Sequence, residues 1–294
     1  MSSNGRTLVS GTSNWGSSPC IRTMKYIKII IYAGILLSLL TVSIFYFYPN
    51  QNTPIAPKQV SYKIVNQYPH STNSYTQGLF FSQDILYEST GSPGYLPETK
   101  SVFGILSLET GDIDVKVELD KNIYFGEGST IIGDKIYQLT YKNQKGFVYN
   151  ATTFEKVREF QFSSKEGWGL TNAGANLIMS DGTDQITYIN SENFEIEKQI
   201  SVKYQGQPQY NINELEYVSG FIYANIYQTN KITKINPNNG DVVGILDLSS
   251  VVNQLISKYP NIAELNGIAY RDSTDTFFIT GKLWPYIYEM KLED

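Results

Sequence analysis

One cysteine and one histidine are all that 294 residues supply of the two side chains most often used in catalysis. Cys20 lies near the N-terminus, so everything beyond residue 50 is without thiols. A disulfide-stapled scaffold and a cysteine nucleophile are excluded there. A Ser-His-Asp triad or a multi-histidine metal site would rest on His70 alone. Its place after "QYP" reads as a surface turn. No metal-ligand spacing stands out, and "SDGTD" at 180–184 is too short a signal for a calcium site, so no cofactor or metal is expected. Acidic residues are absent before residue 50, which holds four of the 23 Lys and Arg. The remainder keeps 19 basic against 28 acidic residues, a balance that argues against nucleic acid as a partner.

Long apolar runs are also missing, with one exception. Ile29 to Tyr48, "IIIYAGILLSLLTVSIFYFY", runs 20 residues without a charge, enough to span a bilayer. Arg22, Lys25 and Lys28 precede it, which keeps residues 1–28 cytoplasmic. No small-residue cleavage site follows, so the segment reads as an uncleaved signal anchor at 29–48. "PNQNTPIAPKQ", 49–59, reads as an extended linker. The expectation is a membrane-anchored, extracytoplasmic, monomeric domain over 60–294, periplasmic or extracellular.

What that domain has in plenty is short β runs between Gly, Asn and Asp turns. "DILYEST", "DKIYQLTY", "ANLIMSDGT", "GFIYANIYQT" and "DTFFITGKLW" are alike, and each follows a shorter run such as "TQGLFFS" or "GEGSTII". A third run and in most cases a fourth complete each unit. Four strands in each of five units spell an all-β fold, a five-bladed β-propeller. A β-sandwich is the alternative and leaves the repeat unexplained. Corresponding residues of the first strands are Gln77, Glu127, Trp168, Asn213 and Asn266. The two longest steps between them carry insertions, "GSPGYLPETK" and "SSVVNQLISKYPN", the second a short helix capped by Ser249 or Ser250. The last unit has three strands, and "SYKIVNQY", Ser61 to Tyr68, is free to supply its fourth and close the ring.

In a propeller, equivalent inner-strand positions gather around one channel. Gln77, Glu127, Trp168, Asn213 and Asn266 should form one ring, and Gly91, Tyr141, Gly182, Tyr227 and Lys282 a second on the next strand. One acid, one cation, three amides and several aromatics then converge on one funnel, which points to binding or catalysis. Glu127 is left bare between Gly126 and Gly128. Glu88, Asp181, Glu214 and Glu216 are the rival acids. Alternation along a strand turns Glu214 away from Asn213, and Glu214 and Glu216 suit a role tying neighbouring strands.

At these residues the sequence resembles the glutamine cyclotransferase family, the plant and bacterial β-propeller type of glutaminyl-peptide cyclotransferase. The matching stretches are "YTQGL", "FGEG", "GWGLT", "SDGT", "NELEY", "ANIYQT", "LNGIAY" and "TGKLWP", in order over roughly residues 60 to 292. The resemblance implies that the domain cyclises N-terminal glutamine of peptides to pyroglutamate and releases ammonia. It implies Glu127 as the catalytic acid–base, Gln77, Asn213 and Lys282 as polar substrate-holding groups, and Tyr75, Phe125 and Trp168 as an aromatic wall. Tyr141 and Tyr227 stand where the family has tryptophans; both stay flat and aromatic, so the wall survives. A non-catalytic peptide- or sugar-binding propeller on a membrane stalk is the alternative, and it would have no need of the acid.

Overall fold

The computed structural model describes residue 11, residues 28–38 and residues 56–293. The chain divides into two units, Met1–Thr53 and Pro54–Asp294. In the first, residues 28–38 are helical. The second half of the expected anchor, residues 39–48, lies outside the described residues. Among the described residues no helix is long and apolar enough to cross a membrane.

The second unit is a five-bladed β-propeller. Blade I is Thr76–Ser82, Ile85–Thr90, Val102–Leu106 and Ile113–Glu118. Blade II is Gly126–Ile132, Lys135–Thr140, Lys145–Asn150 and Lys156–Gln161. Blade III is Leu170–Ala173, Asn176–Ser180, Gln185–Asn190 and Ile196–Ser201. Blade IV is Ile212–Val218, Phe221–Ile226, Lys231–Ile235 and Val242–Asp247. Each is an antiparallel meander in chain order. Tight hairpins make this possible. Ser219 and Gly220 both take positive φ, 49° and 83°, as a two-residue turn matched to strand twist requires.

Blade V is completed from both ends of the unit. Leu265–Arg271, Thr276–Gly281 and Tyr286–Glu293 are joined by Ser61–Pro69, which runs antiparallel to the last strand from Ser61 opposite Glu293 to Pro69 opposite Tyr286. The expected closure is therefore present. It extends further than the sequence suggested: Lys58–Gln59, counted with the linker, pair in parallel with Val242–Asp247 of blade IV. The entering chain thus staples blade IV to blade V.

The core is not one mass but five apolar layers, one in each gap between blades. Phe80, Tyr87 and Phe103 of blade I meet Ile136 and Phe147 of blade II. Leu79 and Leu86 meet Ala269, Phe278 and Ile287 across the closing gap between blades V and I. The fourth strands of blades I, II, III and V are largely exposed, as in "KVREFQ" of blade II, whereas that of blade IV buries Val242 and Leu246 in the adjoining layers.

Two sequence readings change. The helix Ser249–Lys258 forms, but neither Ser249 nor Ser250 caps it. The Asp247 carboxylate accepts the Ser249 N–H at 2.9 Å instead. Hydrogen bonding from the Ser249 hydroxyl, together with that N–H, holds the Asp247 pKa below its ordinary value. His70 is no surface residue. It follows the closing strand directly and is drawn into the seam between blades V and I, 6% exposed. Its Nε2 lies 3.2 Å from Glu88, and its Nδ1 lies 2.9 Å from the Trp284 carbonyl. Burial pulls the imidazole pKa down, but the Glu88 charge and hydrogen bond and the Trp284 carbonyl outweigh it, and the value stands above the usual one. Removing one partner of such a buried pair costs about 3–5 kcal/mol.

Closure by Ser61–Pro69 is testable by truncation. A chain beginning at Gln67 loses Ser61 to Asn66, and with them most of the last ladder, at about 0.5–1.5 kcal/mol per hydrogen bond. Compared with a chain beginning at Pro54, it should melt lower by roughly 10 °C or more, or be insoluble. An unchanged melting curve would refute the closure.

Candidate active site

The inner strand of a blade has a free edge toward the axis, and there the five blades press backbone against backbone. A Cβ on Gly78 would lie 2.9 Å from Ser129 N of blade II. One on Gly128 would lie 2.4 Å from Leu170 N of blade III, and one on Gly169 2.2 Å from the Asn213 carbonyl of blade IV. Gly267 holds the same place in blade V at φ 126°. Blade IV has Glu214 there. Its carboxylate accepts N–H groups from both Leu79 of blade I at 3.2 Å and Ile268 of blade V at 2.8 Å. It crosses the axis through space that four missing side chains leave open. Glu216 likewise accepts the Tyr270 N–H at 3.0 Å and the Thr171 hydroxyl at 3.3 Å. Burial raises both acids, Glu214 well above the carboxylate range and Glu216 to about 8. Both tie strands together, as their sequence positions suggested.

Each axial residue is preceded by the residue of interest, and in four blades the pair falls in a bulge. The ladder register shifts between Thr76 and Gly78, Gly126 and Ser129, Ile212 and Leu215, and Leu265 and Ile268. A bulge bends the strand and re-aims its side chains. Gln77, Glu127 and Asn213 are thereby turned into one cavity of about 190 Å³ with Trp168, Tyr141, Tyr227, Tyr75, Phe125 and Lys282. The neighbouring blade fixes each bulge. Ser89 Oγ donates to the Glu127 carbonyl and Ser180 Oγ to the Asn213 carbonyl, both at 2.6 Å.

The second ring behaves as two kinds of position. Gly91 and Gly182 make room for aromatics: a Cβ on them would lie 2.1 Å from the Phe125 ring and 2.6 Å from the Trp168 ring. Tyr141 and Tyr227 stand against those same rings, at centroid distances of 5.8 and 5.5 Å. Lys282 is buried with its Nζ 4.8 Å from the Tyr75 ring centre and 4.9 Å from that of Tyr227.

Asn266 departs from the expectation. It is fully buried and lines no part of the cavity. Its Nδ2 donates to the Thr76 carbonyl and to Gln77 Oε1, each at 3.0 Å. With its oxygen occupied, Gln77 has its amide N–H groups left for Glu127, whose charged form they favour. Asn266 is therefore a positioning residue. Alternation could not show this, because the bulge between Leu265 and Ile268 turns its side chain away from the pocket.

Of the buried acids raised by desolvation, Glu127 is the one that lines the cavity. It is 3% exposed. Burial lifts its pKa well above the usual carboxylate value, Lys282 and the Gln77 hydrogen bond pull it down, and Glu166 pushes it up. Burial likewise lowers the pKa of Lys282, against the charges of Glu127 and Glu264. Asn213 Oδ1 and Glu264 Oε2 are buried acceptors without a hydrogen-bond partner among the described residues. Of the rivals, Glu88 is engaged by His70 and by the Thr76 hydroxyl at 2.7 Å, and Asp181 caps its own turn through Thr183. Among the described residues, no three His, Cys, Asp or Glu are arranged to hold a metal ion.

Sequence reasoning missed three contributors. Pro93 and Tyr95 line the mouth from the insertion "GSPGYLPETK". Glu166 accepts the Trp168 indole N–H at 3.0 Å and fixes that ring. The acid two residues before the tryptophan in "EGWG" was the available signal for it.

The glutamine cyclotransferase family model matches residues 36–292. The chain belongs to the glutamine cyclotransferase family. It is 35% identical over 233 residues to a glutaminyl-peptide cyclotransferase of Arabidopsis thaliana, covering 79% of this chain and 71% of that one. It also superposes on the crystal structure of Myxococcus xanthus glutaminyl cyclase with a TM-score of 0.74 at 35% identity, over 81% of this chain and 98% of that one. Tyr141 and Tyr227 both stand in the cavity wall.

Proposed function

We propose that the propeller is a glutaminyl-peptide cyclotransferase in which Glu127 shuttles the proton. Family membership and the likeness to two glutaminyl cyclases support the reaction. The observation that carries the residue assignment is a single buried, raised carboxylate in a small aromatic-walled cavity.

A cavity of about 190 Å³ suits one folded glutamine side chain, not a length of peptide. Trp168, Tyr141, Tyr227 and Phe125 hold that side chain back toward its own α-amine. Fixing the two reacting groups can remove about 7–11 kcal/mol of the barrier. The amine nitrogen attacks the γ-carboxamide carbon, and a five-membered ring closes. Ionised Glu127 takes a proton from that nitrogen and returns it to the departing NH₂, which leaves as ammonia. Lys282 faces the oxygen on which charge develops. Asn213 Oδ1, an acceptor without a hydrogen-bond partner among the described residues, takes an N–H of the substrate. Gln77 keeps Glu127 in place, with Asn266 behind it.

Lys282 suits this task because Tyr75 and Tyr227 hold it on two sides. Asn266 needs no substrate contact for its part. Peptides with N-terminal glutamine are the substrate class.

The N-terminal segment supports a signal anchor at 29–48, with the propeller outside the cytoplasm as a monomer. Its 20 uncharged residues follow Arg22, Lys25 and Lys28. N-terminal sequencing of protein recovered from membranes should give a start before Lys25; a start at or after Pro49 would mean a removed signal peptide.

Glu127→Gln keeps shape and a hydrogen bond but loses the base. Turnover of a Gln-initiated dipeptide, followed by ammonia release, should fall by about 10²–10⁴ with little change in substrate binding. Near-normal turnover in the folded variant would remove Glu127 from the mechanism.

A further inference from the structure

The catalytic cavity accommodates the glutamine alone, so the rest of a peptide substrate has to leave through its mouth. A second, larger cavity of about 610 Å³ is lined in part by chain neighbours of the residues that line the first. The same three segments build both. Tyr75, Tyr95 and Lys282 line the catalytic cavity, while Thr72, Leu96 and Leu283 line the second. Backbone hydrogen bonds join these segments: Leu283 N–H to the Ser74 carbonyl at 2.8 Å, and Ala263 N–H to the Lys282 carbonyl at 2.9 Å.

We propose that this groove is the subsite for the second and third residues of the substrate, and that it favours apolar side chains there. The inference rests on the cyclotransferase reading above. Leu96, Leu283, Tyr259, Pro260 and Ile262 supply its apolar lining, and Thr72, Glu98, Lys258 and Asn261 the polar remainder. Tyr95, 74% exposed, has its hydroxyl 3.4 Å from that of Tyr75. The groove is preformed. The loop carrying Leu96 is braced by Leu96 N–H to the Pro93 carbonyl at 2.9 Å, Thr99 N–H to the Leu96 carbonyl at 3.1 Å, and Ser92 Oγ to the Thr99 carbonyl at 2.9 Å. Tyr259 and Ile262 are packed on the apolar layer between blades IV and V. Preorganised walls leave little ordering entropy for a peptide to overcome.

The position of the walls is the second argument. They come from the two insertions that break the repeat spacing, "GSPGYLPETK" and the helix with "YPN" after it. A propeller needs neither insertion to close. Both contribute to the groove, whose volume of about 610 Å³ is roughly three times that of the catalytic cavity.

The test compares Gln-Phe-Leu-amide with Gln-Gly-Gly-amide on the full chain, by ammonia release. The first should show kcat/KM about tenfold higher, the scale of apolar contact in a pocket. Leu96→Asp should erase that preference while leaving the glycine peptide's rate within about twofold. Ile262→Ala should reduce the preference to about threefold, and it covers the case in which the aspartate variant fails to fold. Equal kcat/KM for the two peptides in the native chain, or variants that slow both peptides alike, would overturn the subsite. Failure of the native chain to turn over either peptide would overturn the cyclotransferase reading, and the subsite with it.

Discussion

Five inner strands share one axis, and the backbone of each must touch that of the next. This constraint decides more of the molecule than any single side chain. It places Gly78, Gly128, Gly169 and Gly267 where a methyl group would meet a neighbouring blade. It leaves the remaining space to one residue, Glu214, whose carboxylate ties blades I, IV and V together. The bare setting of Glu127 follows from the same cause. Gly128 is glycine because blade III is in the way, and Gly126 because the Thr90 carbonyl lies 2.6 Å from where its Cβ would be. The glycines that strip Glu127 of shielding side chains are needed for packing.

Function is built on the irregularity this packing imposes. Bulges in three of the inner strands aim Gln77, Glu127 and Asn213 at the cavity, and hydroxyls of adjacent blades hold the Glu127 and Asn213 carbonyls. A carboxylate so placed is dry, opposed by one buried cation, and short of hydrogen bonds. Burial then dominates its titration, and the group becomes a better base near neutral pH than an exposed glutamate. The chain places the site within a rigid ring and leaves its surroundings to two insertions.

Much of this was legible in the sequence because propellers are periodic. Five repeats, the missing fourth strand and the alignment of Gln77, Glu127, Trp168 and Asn213 follow from spacing alone. What spacing could not show was where periodicity breaks. Asn266 occupies a ring position, yet its bulge turns it behind Gln77, so it supports the site instead of lining it. His70 read as a surface turn because nothing local marks Glu88 as its partner across the closing seam. Tyr95 and Pro93 lie in an insertion without a counterpart in the other repeats, so no ring position pointed to them. The serine cap failed for a smaller reason: Asp247, two residues before Ser249, reaches the helix N–H first.

The central claim is that Glu127 titrates above the ordinary carboxylate range and must be ionised to work. The direct test is the pH dependence of kcat at saturating substrate, for the native chain and for Glu127→Gln. A base with a raised pKa is lost as pH falls through that raised value, so native turnover should decline at a pH clearly above about 4.3, the value of an unperturbed glutamate. The slow residual turnover of the variant should lack that inflection and keep only the one belonging to the substrate amine. An acid-side inflection besides that of the substrate amine, present alike in both proteins, would contradict the account.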